Sequence, residues 1–473
     1  MKKIAIFLNG TWNELGDRSS TNVVKLVRSV EKYACDPQAP RIKTTVPQMV
    51  YYDDGVGSKA HVSPMVDTLT QWQGGIWGWG LEAKLEAAYR FLILNYDPGN
   101  PVEYKEADEL YIFGFSRGAF TARSLVGLIR KCGILQRKFL SMVPTALKLY
   151  ARADLLAQDA EMKAFRNRYT HGHIAYGPED LDEVHTAMTT KALLDSRQSR
   201  GGSGLFNERE LRGLTSYTDE QDVQNPYLYH AKAMCKMMYV GLWDTVGSLG
   251  LPESLGLLAK AENKKYAFHD LSISSMVTSA RHACAIDEDR KSFALIPIDN
   301  IFELNAMWAA ERHYNLIDAK RSDYIDYKFR PFQQKWFPGD HGAVGGGNLE
   351  LGLSSCALSW VAEGAYRAGL NFDCFDENSV LTEAKFECNP NADWHVDKGG
   401  NPTKGTDIIG RLTGLKKRKA SGNLDEYSDS ALKRYLTDNT YRPDNAPALK
   451  RASRIERDVE KPLNWPAIFD VKF

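Results

Sequence analysis

Leu110-Tyr-Ile-Phe-Gly-Phe-Ser-Arg-Gly-Ala-Phe-Thr-Ala-Arg-Ser-Leu-Val-Gly-Leu-Ile-Arg130 decides how this chain folds. Leu110 to Phe115 is a continuous apolar and aromatic run, which suits a strand buried on both faces. Ala119, Phe120, Ala122, Leu125, Val126, Leu128 and Ile129 then recur at helical spacing. Arg130 and Lys131 stand where a last helical turn favours cations, and Gly133 supplies a stop. Between strand and helix lies Gly114-Phe115-Ser116-Arg117-Gly118, a G-x-S-x-G nucleophile elbow. Such a turn is sharp enough that a Cβ at either glycine crowds it. It lifts the Ser116 hydroxyl off the sheet edge and aims the Arg117 N–H, at a helix N-terminus, toward a developing oxyanion. The plainer alternative is a tight turn whose serine only caps the helix.

Working outward, the first 130 residues alternate strand and helix, the pattern of an α/β sheet built by crossover connections. Ile4 to Leu8 reads as a strand closed by Asn9-Gly10-Thr11, residues 21–33 as a helix, and Gln48 to Tyr52 as a strand. Leu81, Leu85, Ala88, Tyr89 and Leu92 form one helical face. Downstream, Met237 to Leu242 reads as a strand ending in Trp243-Asp244-Thr245. Residues 269–285 read as helical, Phe293 to Ile298 as a strand, and residues 354–368 as a helix. Residues 1–135 and 236–370 therefore read as an α/β core, a mostly parallel sheet flanked by helices. Residues 136–235 are a largely helical insertion or cap. Residues 371–473 are an irregular, polar extension with a basic run, Lys416-Lys417-Arg418-Lys419.

At 473 residues the chain accommodates one large domain with insertions, or two domains. Lys+Arg and Asp+Glu both total 60, which removes the electrostatic case for nucleic acid. Seven cysteines (Cys35, Cys132, Cys235, Cys284, Cys356, Cys374, Cys388) are odd in number and never in C-x-x-C spacing. They suggest neither a disulfide framework nor a zinc site, and reduced, packed thiols are expected. The apolar run after Lys2-Lys3 is too short for a signal peptide, and no stretch has the length of a transmembrane helix. Synthesis in the cytoplasm as a soluble protein is the expectation.

A nucleophilic serine needs a base, and the base an orienting carboxylate. In α/β hydrolases they follow in the order Ser, acid, His, each on a loop after a strand. Asp244 follows a hydrophobic strand and His341 sits in a Gly-rich loop after an aromatic one. Asp287 and Asp289 compete for the acid's role, and Asp244 also reads as a helix cap. Asp53 and Asp54 precede the serine and fit a solvated turn better. His282 and His269 flank the expected helix and read as packing or capping residues. The second oxyanion donor is sought at Gly10-Thr11, which reads equally as an ordinary tight turn.

Six blocks, in order, resemble one family. They are Leu8-Asn9-Gly10-Thr11-Trp12-Asn13, Gly55-Val56-Gly57, Gly78-Trp79-Gly80-Leu81, the Gly114 to Arg123 elbow, Trp243-Asp244-Thr245-Val246-Gly247, and His341-Gly342-Ala343-Val344-Gly345-Gly346-Gly347. The chain resembles, over roughly residues 1–370, the catalytic domain of the type VI secretion phospholipase effectors of the G-x-S-x-G class. The resemblance implies an α/β-hydrolase fold and lipid-ester hydrolysis by Ser116, Asp244 and His341, with no cofactor or metal. It further implies an antibacterial effector acting on phospholipid membranes, with a secretion-apparatus partner and a cognate immunity protein. Asn9 and Ala343 stand where aspartates are more usual in the family, so no accessory carboxylate is expected there. The chemistry alone also admits a soluble esterase on small or carbohydrate-linked esters, or a silent binding module.

Overall fold

A computed structural model of the chain describes residues 1–10, 20–34, 46–54, 76–99, 105–177, 180, 235–247, 272–348, 350–373, 388–393 and 415–454. Seven strands among them form one sheet in the order β2-β3-β1-β4-β5-β6-β7. These are β1 (Lys3–Leu8), β2 (Tyr33–Ala34), β3 (Val46–Asp53), β4 (Glu109–Phe115), β5 (Met237–Trp243), β6 (Ala280–Ala285) and β7 (Phe332–Phe337). Short β2 is antiparallel to β3, and every other pairing is parallel. The chain leaves β1 for β3 on one side and returns to β4 on the other. That reversal opens a crevice at the carboxyl ends of β1 and β4, where such sheets place ligands.

The central strands are apolar on both faces because helices cover both. Ile4, Ile6, Leu110, Ile112, Val240 and Leu242 point to one face, into a core shared with α2 (Ile76–Asn95) and α3 (Arg117–Cys132). Ala5, Phe7, Tyr111, Phe113, Tyr239 and Trp243 point to the other, against α1 (Asn22–Ser29) and a helix over Gly352–Arg367. Phe7 and Phe113, paired across β1 and β4, stack with centroids 4.6 Å apart.

From the 136–235 segment, the described part holds α4 (Val143–Tyr150) and α5 (Ala160–Tyr169). Val143, Ala146, Leu147 and Tyr150 are buried in the α2/α3 core, whereas Leu156 is exposed. Residues 178–179 and 181–234 of this segment, with Gly201-Gly202-Ser203-Gly204 among them, lie outside the described residues.

Three readings are corrected. The helix expected to end at 285 is instead strand β6, buried throughout between β5 and β7. Ala280-Arg-His-Ala-Cys-Ala285 has no β-branched residue, and its small side chains mark a tightly covered strand, so propensity misleads there. The strand expected at Phe293 to Ile298 is a 3-10 turn over Lys291–Phe293, then extended chain with one bridge, Val246 to Leu295. Pro297 has no N–H with which to continue a ladder.

The third correction concerns the thiols. Cys356, on the helix over Gly352–Arg367, is disulfide-bonded to Cys388, 32 residues on. Cys132, Cys235 and Cys284 are free and buried. The pairing depends on the fold, since Asn389 N–H reaches back to the Gly352 carbonyl (3.1 Å) and brings Cys388 beside that helix. A loop of this length adds about 3–4 kcal/mol by restricting the unfolded chain. Cys388→Ser is therefore expected to lower the thermal midpoint of oxidised protein by several degrees, and excess reductant should bring wild type to the same value. A midpoint equal to wild type would show that the bond contributes nothing.

The extension is also less irregular than its composition implies. Residues 415–454 include a helix over Asp429–Thr437 and close a third apolar cluster. Ala420, Leu424, Tyr427, Leu432 and Leu449 pack there with Cys284, Ile286 and Trp336. Ser428 N–H donates to the Trp336 carbonyl (3.0 Å), so the extension covers part of the sheet's β7 edge.

Candidate active site

Ser116 stands at the end of β4 as the N-cap of α3, with φ 59 and ψ −125. For a residue with a Cβ this is a strained backbone, worth about 1–3 kcal/mol. Neighbouring structure enforces it. Ser116 N–H donates to Trp243 O at the end of β5 (3.0 Å), while Ser116 O accepts from Ala119 N (3.1 Å) as α3 starts. A Cβ at Gly118 would stand 2.1 Å from the Leu8 carbonyl oxygen, and one at Gly114 would stand 2.4 Å from the Gly118 carbonyl oxygen. Both obstacles are backbone and cannot swing away. Gly118→Ala is therefore expected to destabilise the protein by about 2–3 kcal/mol, measured by urea unfolding; a midpoint within error of wild type would mean that β1 and α3 can separate freely.

The second strand end supplies Asp244, also in a left-handed conformation at φ 42, with its N–H on Ala283 O (2.7 Å). The third supplies His341, first residue of α6 (His341–Gly345), whose N-cap Asp340 accepts from Ala343 N. The structure brings the three together. Ser116 Oγ lies 2.8 Å from His341 Nε2, and His341 Nδ1 lies 2.6 Å from Asp244 Oδ2. An ionised carboxylate only accepts, so Nδ1 carries the proton and Nε2 is left to accept from the serine hydroxyl. All three residues are buried. The imidazole packs against the tilted rings of Phe115 and Phe293, with centroids at 4.6 and 4.8 Å. Its backbone N–H donates to Glu288 Oε2 (3.2 Å), and Arg290 pairs with Glu288.

Asp244 is saturated with donors. Oδ1 accepts from Ala285 N (2.8 Å) and Arg418 Nη1 (2.6 Å); Oδ2 accepts from His341 Nδ1 and Arg418 Nη2 (2.9 Å). Burial alone would push the Asp244 carboxyl up. The Arg418 charge and the hydrogen bonds from His341 and Arg418 outweigh it and hold the group well below the usual carboxylate range.

Asp287, Asp53 and His282 are engaged elsewhere, and His269 lies outside the described residues. Asp287 Oδ2 accepts from Gly339 N and Tyr441 OH, and burial raises this carboxyl to about 6. Asp53 meets Lys84, which also donates to the Asp54 carbonyl. His282 is on β6 and not beside a helix. Its Nε2 accepts from Thr245 N (3.1 Å), and its Nδ1 meets Gln334 Oε1 (2.9 Å). Burial lowers its pKa to about 3, so it stays neutral and fixes the Asp244-Thr245 turn. Of the oxyanion candidates, Arg117 opens α3, Gly10 N–H donates to Asn9 Oδ1 (2.9 Å), and Thr11 lies outside the described residues. Asn9 is a loop anchor, with its Oδ1 also accepting from Thr21 Oγ1 and its Nδ2 donating to Tyr52. Among the described residues no cluster of metal-ligating side chains occurs.

A parallel sheet with a strained serine elbow, and with histidine and aspartate on later strand ends, has the architecture of an α/β-hydrolase-like protein. The chain belongs to the family described as "T6SS, Phospholipase effector Tle1-like, catalytic domain", whose model matches residues 2–364. It is 22% identical, over 427 aligned residues, to the "Uncharacterized protein YEL023C" of Saccharomyces cerevisiae; the match takes in 78% of this chain and 58% of the relative. An uncharacterised protein from Pseudomonas aeruginosa is similar at 16% identity with a TM-score of 0.37, over 82% of this chain and 49% of that one. A structure titled as the Tle1 effector bound to the VgrG spike from the Type 6 secretion system is similar at 14% identity with a TM-score of 0.29, over 73% of this chain and 51% of that one. The chain thus spans about half the length of the proteins it matches.

Proposed function

We propose that this chain is a serine hydrolase of lipid carboxylic esters, most specifically a phospholipase A that acts as an antibacterial secretion effector. The observation carrying the reading is the continuous Ser116–His341–Asp244 hydrogen-bond relay at a strained elbow. In this mechanism Ser116 Oγ attacks the acyl carbonyl carbon while His341 Nε2 takes its proton. The Arg117 N–H holds the tetrahedral oxyanion, with the second donor assigned to Thr11 because the Gly10 N–H is bound to Asn9 Oδ1. Collapse breaks the ester bond, and the departing glycerol oxygen takes the proton back from His341. Water, deprotonated by His341, then attacks the acyl-serine and releases the fatty acid. Asp244 keeps the imidazole in the required tautomer throughout.

Membership in a phospholipase effector family supports the lipid substrate, delivery to a target cell by type VI secretion, a secretion-apparatus partner and an immunity protein. None of the described helices is long and apolar enough to cross a membrane. Incubation with vesicles of phosphatidylethanolamine and phosphatidylglycerol should release free fatty acid and lysophospholipid in equal amounts, read by mass spectrometry. Turnover of soluble short-chain esters alone would favour the small-ester reading. Absence of turnover together with no fluorophosphonate labelling of Ser116 would leave a binding module.

A further inference from the structure

We propose that Arg418, supplied by the C-terminal extension, is a positioning residue of this site: its guanidinium clamps both oxygens of Asp244 and holds the carboxylate aimed at His341. The inference rests on reading Ser116, His341 and Asp244 as the hydrolytic relay. It goes beyond that reading because Arg418 lies outside residues 2–364, the part matched by the family model.

The geometry is that of a purpose-built fork. Nη1 donates to Asp244 Oδ1 and to the Ala285 carbonyl (3.1 Å). Nη2 donates to Asp244 Oδ2 and to the Phe293 carbonyl (2.6 Å). The two terminal nitrogens thus bind one carboxylate end-on and tie it to the end of β6 and to the turn at Phe293, whose ring packs on His341. Only a planar guanidinium matches that pattern; an ammonium reaches one oxygen at a time. The side chain is held deeply enough for the pair to be desolvated, with 6% of Arg418 and none of Asp244 exposed.

A tail that merely needed anchoring would find cheaper contacts than the carboxylate facing the base. A buried Asp–His pair without a counter-charge resists ionisation of the acid and takes up a proton more readily. Arg418 opposes both tendencies. The other ionisable groups around Asp244 do not duplicate it. His282 on β6 is neutral, and Cys284 beside it is a thiol pushed well up by burial. Glu288 is negative and paired with Arg290. Arg123 of α3 donates to the Ile296 and Pro297 carbonyls.

The test is the pH dependence of kcat/KM on a soluble short-chain ester, with Ser116→Ala as the control. Arg418→Met is expected to move the acid limb upward by about 1–3 pH units, each unit costing tenfold in rate at a pH on the limb, with KM unchanged. Arg418→Lys should keep the limb near wild type, because the charge remains, yet lower kcat, because the fork is lost. A folded Arg418→Met with a wild-type profile would overturn the inference, as would an equal limb shift in both variants. If Arg418→Met does not fold, Arg418→Lys decides: a lowered kcat at wild-type KM supports the clamp, and a wild-type kcat refutes it. Should wild type itself neither hydrolyse the ester nor label with fluorophosphonate, the relay reading fails. An active wild type with indifferent Arg418 variants sinks only the clamp.

Discussion

Replacing Ser116 with alanine should leave a folded protein whose kcat is lower by roughly 10⁶-fold, the loss typical when a nucleophile is deleted from a relay that acts as a unit. The structure explains why folding survives. Serine and alanine both carry a Cβ, so the strained φ of 59 at this elbow costs them the same, and the amide still donates to Trp243. What disappears is one hydroxyl and its bond to His341 Nε2. Thermal midpoints should therefore agree within a few degrees, while fluorophosphonate labelling vanishes. Ser116→Gly sharpens the point. Glycine tolerates this backbone, so the variant should be more stable than wild type by about 1 kcal/mol and equally inactive. That outcome would show strain being retained at the site for chemistry and not for stability. Retention of more than a few per cent of wild-type kcat in either variant would remove Ser116 from the nucleophile's role.

Much of this was legible in the sequence because it is local. Leu110 to Phe115 and the helix after it obey their own periodicities, and the two glycines of the elbow are demanded by backbone atoms nearby in space. Asp244 and His341 are legible through order along the chain, since the first follows an apolar run and the second an aromatic strand end. What was not legible is either non-local or contrary to propensity. Strand β6 is built of alanine, arginine, histidine and cysteine, and its place between β5 and β7 overrides the helical preference of its alanines and arginine. Cys356 and Cys388 carry no spacing signal, because the approach of two separate segments pairs them. Arg418 is the clearest case. Within Lys416-Lys417-Arg418-Lys419 it reads as one charge in a solvated run, and only the fold takes it 174 residues back to Asp244. Lys417 beside it does behave that way, paired at the surface with Asp444. The sole signal available was residue type, an arginine among lysines, consistent with a need for a fork at that one position.

Asp244→Asn should lower kcat by about 10⁴-fold, and the surroundings say how. Every neighbour of the carboxylate is a donor: Ala285 N, His341 Nδ1 and both terminal nitrogens of Arg418. An asparagine amide must turn its NH₂ toward some of them. The escape open to the site is for His341 to move its proton to Nε2, so that Nδ1 accepts from the amide. Nε2 then donates and cannot take the serine proton, which is the inactive arrangement. The substitution also destabilises the fold, because it leaves the buried Arg418 guanidinium without its counter-charge, a loss worth about 3–5 kcal/mol. Stability and activity can then be separated. Asp244→Asn combined with Arg418→Met removes both charges and should recover much of the lost stability in urea unfolding, while kcat stays at the level of Asp244→Asn alone. Additive destabilisation in the double variant would show that the two side chains are not coupled. A double variant with restored kcat would show that the aspartate is not needed to orient His341.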